Sequence, residues 1–322
     1  MEDFPPNRTL AELGEHTVIQ EIMRHAPSKL NGDDAAVLNH TAPNSRCVVT
    51  TDALVHNRHF RLDWSTPAEI GNKVVTQNFA DIEAMGARPT AGLLALSIPH
   101  TMPIGFVSDL SKGIHQRLKA YGAELVGGDI TDSDTLVISF TAIGQLGGNL
   151  PPLYLDQVRP GQHLIASGDI GASAAGLALL QRMPRADIPA VFDPLIQAHC
   201  ATTMPPGRGF VARAAGVTAM TDNSDGLIAD LLTLARRSRV AIELFPHALE
   251  PSPLITQAAA YVGDDPWQYV LAGGEDHTLL ASTYQPTPTG FRVIGMVSKN
   301  HCDSTVTVGG KTPAYTHGWT SF

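Results

Sequence analysis

The sequence lacks most features that would tie it to a nucleic acid, a membrane or an oxidising compartment. Lys and Arg number 22 against 31 Asp and Glu, a formal charge of −9. No basic stripe interrupts that balance, which argues against a nucleic-acid partner. No apolar run approaches the ~20 residues of a membrane span. The cysteines are few, scattered and odd in number: Cys47, Cys200 and Cys302. They have neither metal spacing nor a disulfide framework, and they predict a reducing, cytoplasmic setting. The opening "MEDFPPNRTL" has no apolar core and does not read as a signal peptide.

Several catalytic signatures are missing too. There is no G-x-x-x-x-G-K-[ST] loop; "TVTVGGKT" has Thr305 where the first glycine belongs. The kinase H-R-D and D-F-G pair and the G-x-S-x-G elbow do not occur, and no His pair has zinc-protease spacing. A nucleotide user built this way must hold phosphates by other means.

What is present is enough chain for two domains, at 322 residues and 43% hydrophobic. "LAELGEHTVIQEIMRHA" reads as one first helix. "RCVVTTDALV" reads as a strand. "TPAEIGNKVVTQNFADIEAMGA" reads as a helix with Thr66 as N-cap, Pro67 at the first position and Glu69 at the third, stopping near Gly86. "TAGLLALSIP" predicts a buried strand and "PIGFVSDLSKGIHQRLKAYG" a helix. "AELVGGD" predicts a short strand running into glycines, and "DTLVISFTAIGQL" a long one. The Gly- and Pro-rich "GGNLPPLYLDQVRPGQ" is the best boundary. Beyond it, "HLIASG", "VTAMTD", "VAIELF" and "FRVIGMVS" read as strands. "SAAGLALLQRM", "PPGRGFVARAAG" and "GLIADLLTLARRS" read as helices. The intermingling is an α/β pattern, with domains at 1–148 and 149–322.

Acid recurs within or at the ends of apolar segments: Asp33 and Asp34, Asp52, Asp81, Asp129, Asp222 and Asp225, and Glu275 and Asp276. Singly each has a bland reading. Asp33 is a turn residue, Asp225 caps the helix that follows, and Glu275 is a solvated loop charge. Asp81 resists this. Ile70, Val74, Asn78, Asp81 and Met85 follow helical spacing on one stripe. A carboxylate there needs an ion pair, a backbone to cap, or a metal. With few basic residues nearby, metal is favoured. Clustered carboxylates suit Mg²⁺ or Ca²⁺, and Mg²⁺ shares its shell with substrate phosphates. The glycines of "GGD" and "GGED" let a backbone approach a ligand. Together these features point to a multi-Mg²⁺ nucleotide site.

The ordered set "NGDDAAVL", "TTDALVHNRHF", "NFADIEAMGARP", "GGD", "DNSDGL" and "GGEDHTLL" resembles the thiamine-monophosphate kinase family, within the ATP-binding superfamily of aminoimidazole ribonucleotide synthetase. The resemblance runs from about Leu13 to "GWTSF". It implies an N-terminal β-sheet domain with helices on one face, which binds metal and ATP and dimerises through its sheet. It also implies a C-terminal α/β domain that closes over the nucleotide. The implied reaction is direct, Mg-assisted transfer of the ATP γ-phosphoryl group to thiamine monophosphate. Carried over by motif, Asp34, Thr50, Thr51, Asp52, Asp81, Asp129, Asp222 and Asp225 would hold several Mg²⁺ ions. Asp33 matches the motif as well. Gly128, Asp129 and Ser224 would contact ATP. His59, Glu275 and Trp319 would contact the acceptor. No residue is assigned as catalytic base or nucleophile.

This chain departs from the family's pattern where Leu155 stands in place of an ATP-contacting arginine. Arg159 lies four residues on, and the turn ends in Gln162 instead of aspartate. "DNSDG" has Asn223 at a position usually apolar. Two alternatives accompany the resemblance. One is another ATP-using enzyme of the superfamily, although the reactive Cys or Sec and Lys of selenophosphate synthetase and the terminal cysteine of the hydrogenase-maturation relative are lacking. The other is a non-catalytic Mg-nucleotide-binding regulator.

Overall fold

The structure is a computed structural model that describes residues 5–28, 44–299 and 305–318. Its chain contacts divide it into two compact units. One comprises Met1–Ile82 and Pro89–Gly148, the other Glu83–Arg88 and Asn149–Phe322.

In the first unit the expected opening helix is broken. α1 (Leu10–Leu13) ends at Gly14, whose φ is +77°, and α2 (Glu15–His25) restarts there. A glycine with positive φ ends one helix and redirects the chain, which apolar spacing alone does not reveal. β1 (Arg46–Val55), α3 (Pro67–Ala84), β2 (Arg88–Ile98), α4 (Ile104–Tyr121), β3 (Glu124–Asp132) and β4 (Val137–Leu146) follow. β3 runs on past its glycines to Asp132 instead of ending at them. The sheet order is β1-β4-β2-β3, with β1 and β4 antiparallel and β2 and β3 parallel.

α3 starts as its sequence requires. Thr66 Oγ1 accepts from the Glu69 N–H at 3.3 Å, and Glu69 Oε2 accepts from the Thr66 N–H at 2.8 Å, a reciprocal cap. The helix is then buried nearly all round, with Ile70, Val74, Val75, Phe79 and Ile82 fully inside. Phe79 meets Phe140 of β4 at 6.1 Å and Tyr121 of α4 at 4.9 Å between ring centroids. Truncating such a residue costs about 3–5 kcal/mol. Gly71 and Gly113 let α3 and α4 cross closely, because a Cβ at Gly113 would fall on the Ala68 carbonyl.

The second unit contains β5 (His163–Ser167), α5 (Ala172–Arg182), α6 (Asp193–Cys200), α7 (Arg208–Ala214), β6 (Ala219–Asp222), α8 (Leu227–Ser238), β7 (Val240–Leu244), α9 (Pro253–Val262), α10 (Pro266–Ala272), β8 (Leu279–Thr283), β9 (Arg292–Lys299) and β10 (Val306–Val308). Its sheet order is β10-β7-β9-β5-β8-β6; β10 lies parallel to β7 and the other pairs are antiparallel. Leu227, Leu231 and Leu234 of α8 pack with Leu164, Ile242 and Leu280 in one core, joined by Leu155. The segment 83–88 belongs here. Glu83 is fully buried and accepts the N–H groups of Gly207 and Gly209 at 2.6 and 2.5 Å. Burial pushes its carboxyl up in pKa, against the pull of those donors.

Candidate functional site

In the first unit the acidic motif is built across β1 and α3. Strand alternation puts Thr50, Asp52 and the buried Leu54 on one face. There Thr50 Oγ1 donates to Asp81 Oδ2 at 2.8 Å, and the Asp52 N–H donates to Asn78 Oδ1 at 2.9 Å. Asn78 is the fully buried member of the α3 pair, and its amide also donates to the Val74 carbonyl at 2.8 Å. Asn78 is thus held by backbone, whereas Asp81 is only half-buried. Thr51 falls on the opposite face. Its hydroxyl donates to the Phe140 carbonyl at 3.2 Å and accepts from Thr141 at 3.0 Å. Its side chain therefore does not share a face with Thr50 and Asp52.

His59 turns its Nδ1 back to accept the Val55 N–H at 3.0 Å. A nitrogen that accepts carries no proton, so in the neutral ring Nε2 is the donor. The buried Lys73 supports the same turn, with Nζ 3.3 Å from the His59 carbonyl. Asp129 is exposed on β3 and accepts from Thr131 Oγ1 at 3.3 Å. Gly128 has a structural reason of its own: a Cβ there would strike the Leu94 carbonyl of the paired strand.

In the second unit, "DNSDG" and "GGED" lie against each other. A Cβ at Gly274 would meet the Ser224 carbonyl, and the Glu275 N–H donates to that carbonyl at 2.9 Å. The close approach that Gly274 permits is that of the other motif's backbone, whereas Gly273 packs against the Tyr269 carbonyl and Ala174. Asp222, at the end of β6, is buried and lies 2.9 Å from His277 Nδ1. Asp225 is exposed and does not cap α8. Asp230 serves that helix start instead, its Oδ2 accepting the N–H groups of Asp225 and Gly226, each at 3.2 Å. Burial, then the nearby Asp222 and Asp225 charges, push Asp230 up to about 8. Asp276 accepts the N–H groups of Gly171 and Ser173 at 2.6 and 2.8 Å, and burial pushes it up to about 7.

Among the described residues, no three His, Cys, Asp or Glu side chains come together as a ready metal-holding group. Asp33, Asp34 and Trp319 lie outside the described residues. Two observations nonetheless fit a hard cation in the second unit. Asp230 is driven towards its protonated form by burial and, after that, by the neighbouring carboxylates of Asp222 and Asp225, charge that a cation would offset. Both side-chain amide atoms of Asn223, fully buried beside Asp222, have no hydrogen-bond partner among the described residues. The donors throughout are carboxylate, hydroxyl and amide oxygens, which suit Mg²⁺.

The turn that departs from the family's pattern is closed on itself. Arg159 donates to the Asp156 and Val158 carbonyls at 2.8 and 2.9 Å and to Gln157 Oε1 at 2.8 Å. Gln162 is fully buried, accepting the Arg159 N–H at 2.7 Å and donating to Thr218 at 2.8 Å. In this arrangement Arg159 is engaged within its own turn, and Leu155 is a packing residue.

The chain is similar to known proteins along nearly its whole length. The N-terminal domain of AIR synthase related proteins matches residues 32–146. The thiamine-monophosphate kinase of Corynebacterium glutamicum is 58% identical over 314 residues, 98% of this chain and 95% of that protein. The chain belongs to the thiamine-monophosphate kinase family. The family member from Mycobacterium tuberculosis is 42% identical over 98% of this chain and 93% of its own. A solved member from Aquifex aeolicus, complexed with AMPPCP and TMP, has a TM-score of 0.77 at 30% identity, covering 98% of this chain and 99% of that one. Its two-domain α/β fold is the one described here.

The sequence reading passed over His199, Asp230 and His277. Asp230 was legible by the argument applied to Asp81, since Leu227, Asp230, Leu231 and Leu234 form one α8 stripe. His277 and His199 carry no spacing signal, because a loop and a short helix bring them to their partners.

Proposed function

We propose that this chain transfers the γ-phosphoryl group of ATP to thiamine monophosphate, giving ADP and thiamine diphosphate. An oxygen of the acceptor's phosphate bonds to the γ-phosphorus while the bond to the ADP oxygen breaks. The observation that carries the reading is the 58% identity to a thiamine-monophosphate kinase over 98% of the chain. The Aquifex complex with AMPPCP and TMP supports both substrates.

The metal ligands in this reading are Asp34, Thr50, Asp52, Asp81, Asp129, Asp222 and Asp225, with Thr51 able to join Thr50 and Asp52 only through its main chain. Several Mg²⁺ ions, once bound, would neutralise the phosphates and the transferring group. The chain's own work is positioning. Gly128, Asp129 and Ser224 belong to ATP. His59 presents Nε2–H to the acceptor phosphate, its Nδ1 already occupied by Val55. Glu275 and Trp319 contact the rest of the acceptor. A phosphate oxygen is anionic near neutral pH, so no general base is needed, and none is assigned.

Residues 1–148 take the metal, ATP and dimer role and residues 149–322 the nucleotide-closing role. A homodimer is part of the same proposal. The first sheet's outer face carries exposed Cys47, Val49 and Thr51 on β1, which a second copy would cover. A cytoplasmic location is consistent with the free cysteines and with no described helix long and apolar enough to cross a membrane.

The deciding assay couples ADP release to product analysis across phosphorylated acceptors, with and without Mg²⁺. Equal ADP and thiamine diphosphate, both dependent on Mg²⁺, is the expected result. Tight Mg·ATP binding with no turnover on any acceptor would favour the regulator.

A further inference from the structure

Three consecutive side chains after the double glycine leave the main chain in three directions. Glu275 and His277 have φ of +62° and +52°, a region that non-glycine residues enter only when their surroundings hold them there. Asp276, between them, turns to the N-terminal N–H groups of α5. His277 turns to Asp222. Glu275 turns to His199, whose Nδ1 lies 3.3 Å from Oε2.

His199 is 4% exposed, on the last turn of α6, where the other buried side chains are Leu195, Ile196 and Cys200. An imidazole among such neighbours is costly unless its nitrogens are used. Its Nδ1 also lies 3.2 Å from Ser173 Oγ. Ser173 in turn is fixed through its N–H by Asp276. The Glu275 main chain is held on both sides: its N–H donates to the Ser224 carbonyl at 2.9 Å, and its carbonyl accepts from Thr202 Oγ1 at 3.2 Å. The Glu275 side chain remains 29% exposed. Glu275 is thus anchored at the backbone and steered at the carboxylate by a buried histidine, with one side open to solvent.

We propose that His199 is a positioning residue for acceptor recognition. With its proton on Nδ1 it holds the Glu275 carboxylate in the orientation that meets the ring portion of thiamine monophosphate, which carries an amine on its pyrimidine and a positive charge on its thiazolium. This rests on the assignment of Glu275 to the acceptor made above. A carboxylate ordered before the acceptor arrives loses less freedom on binding, and that gain appears in acceptor affinity alone. Ser173 and Asp276 complete the support from α5.

The test is steady-state kinetics on the full-length enzyme with His199→Leu, His199→Asn, His199→Gln, Glu275→Gln and the Leu/Gln double variant. Wild-type turnover of thiamine monophosphate first tests the proposed function independently. We expect His199→Leu to raise KM for thiamine monophosphate about tenfold while leaving KM for ATP within about twofold. His199→Asn, which keeps an N–H near the Nδ1 position, should restore most of the affinity. His199→Gln, whose amide sits nearer the Nε2 position, should not. The double variant should be no worse than Glu275→Gln alone. Equal losses for both substrates, additive losses in the double variant, or equal rescue by Asn and Gln would overturn the proposal. If His199→Leu does not fold, the Asn and Gln variants decide between the same outcomes.

Discussion

Replacing Asp230 by Asn probes the acidic end of β6 without touching an assigned ligand. The amide keeps an oxygen for the N–H groups of Asp225 and Gly226, now at 3.2 Å, and exchanges the ionisable oxygen for an uncharged NH2 of similar size. In the folded protein Asp230 titrates at about 8, against 3.8 unperturbed. Between those values the folded state holds a proton that the unfolded state has released. Stability therefore falls as pH rises through this window. A gap of about 4 units, at ~1.4 kcal/mol each, sets a ceiling of about 6 kcal/mol above pH 8. Relaxation and water entry reduce that to an expected gain of about 2–3 kcal/mol for Asp230→Asn. The expected rise in Tm at pH 8.5 is about 5 °C or more, shrinking to nothing near pH 4. Thermal melts of both proteins in chelator, across pH 4–9, measure it. Added Mg²⁺ should narrow the difference by screening Asp222 and Asp225. Equal melting at all pH values, or a variant less stable at high pH, would refute the electrostatic account.

Other perturbations separate site from scaffold. Asp81→Ala should lower kcat at least about 100-fold with little change in Tm; near-normal activity at ordinary Mg²⁺ would misplace the metal site. His59→Ala should raise KM for thiamine monophosphate more than KM for ATP, and equal losses would remove its acceptor role. Gly113→Ala should destabilise by about 2 kcal/mol through the Ala68 carbonyl it would strike, as read by denaturant midpoint. Glu83→Ala should cost about 2–4 kcal/mol by leaving the Gly207 and Gly209 N–H groups without their carboxylate.

How much was legible in the sequence depends on how local the cause was. The α3 start was readable because Thr66, Pro67 and Glu69 act on adjacent backbone. The buried stripe was readable because its period is that of the helix, and Asn78 is indeed inside. The partner of Asn78 was not readable: the Asp52 N–H belongs to β1, and only the fold brings it near. The break at Gly14 was missed because apolar spacing continues across it while φ does not. Thr51 is a subtler case. Its motif suggested three adjacent ligands, but strand alternation sends every second side chain to the other face.

The loop at 273–277 shows why site assembly is the least legible level. Its glycines signalled a close backbone approach, and the approach is real, but the visitors are the main chain of Ser224 and Asp225 at Gly274 and the Tyr269 carbonyl at Gly273. Once those two loops are pressed together, a continuous run of carboxylates and histidine cannot share one direction. Left-handed φ at Glu275 and His277 resolves this by sending Glu275 to His199, Asp276 to α5 and His277 to Asp222. Each carboxylate thereby acquires its own support, from a different element. Sequence adjacency here spreads charge instead of concentrating it. The spread makes the roles distinguishable by mutation: Glu275→Gln should weaken acceptor binding alone, and a variant at Asp276 should lower stability as well as acceptor affinity, because it also releases Ser173 beside His199.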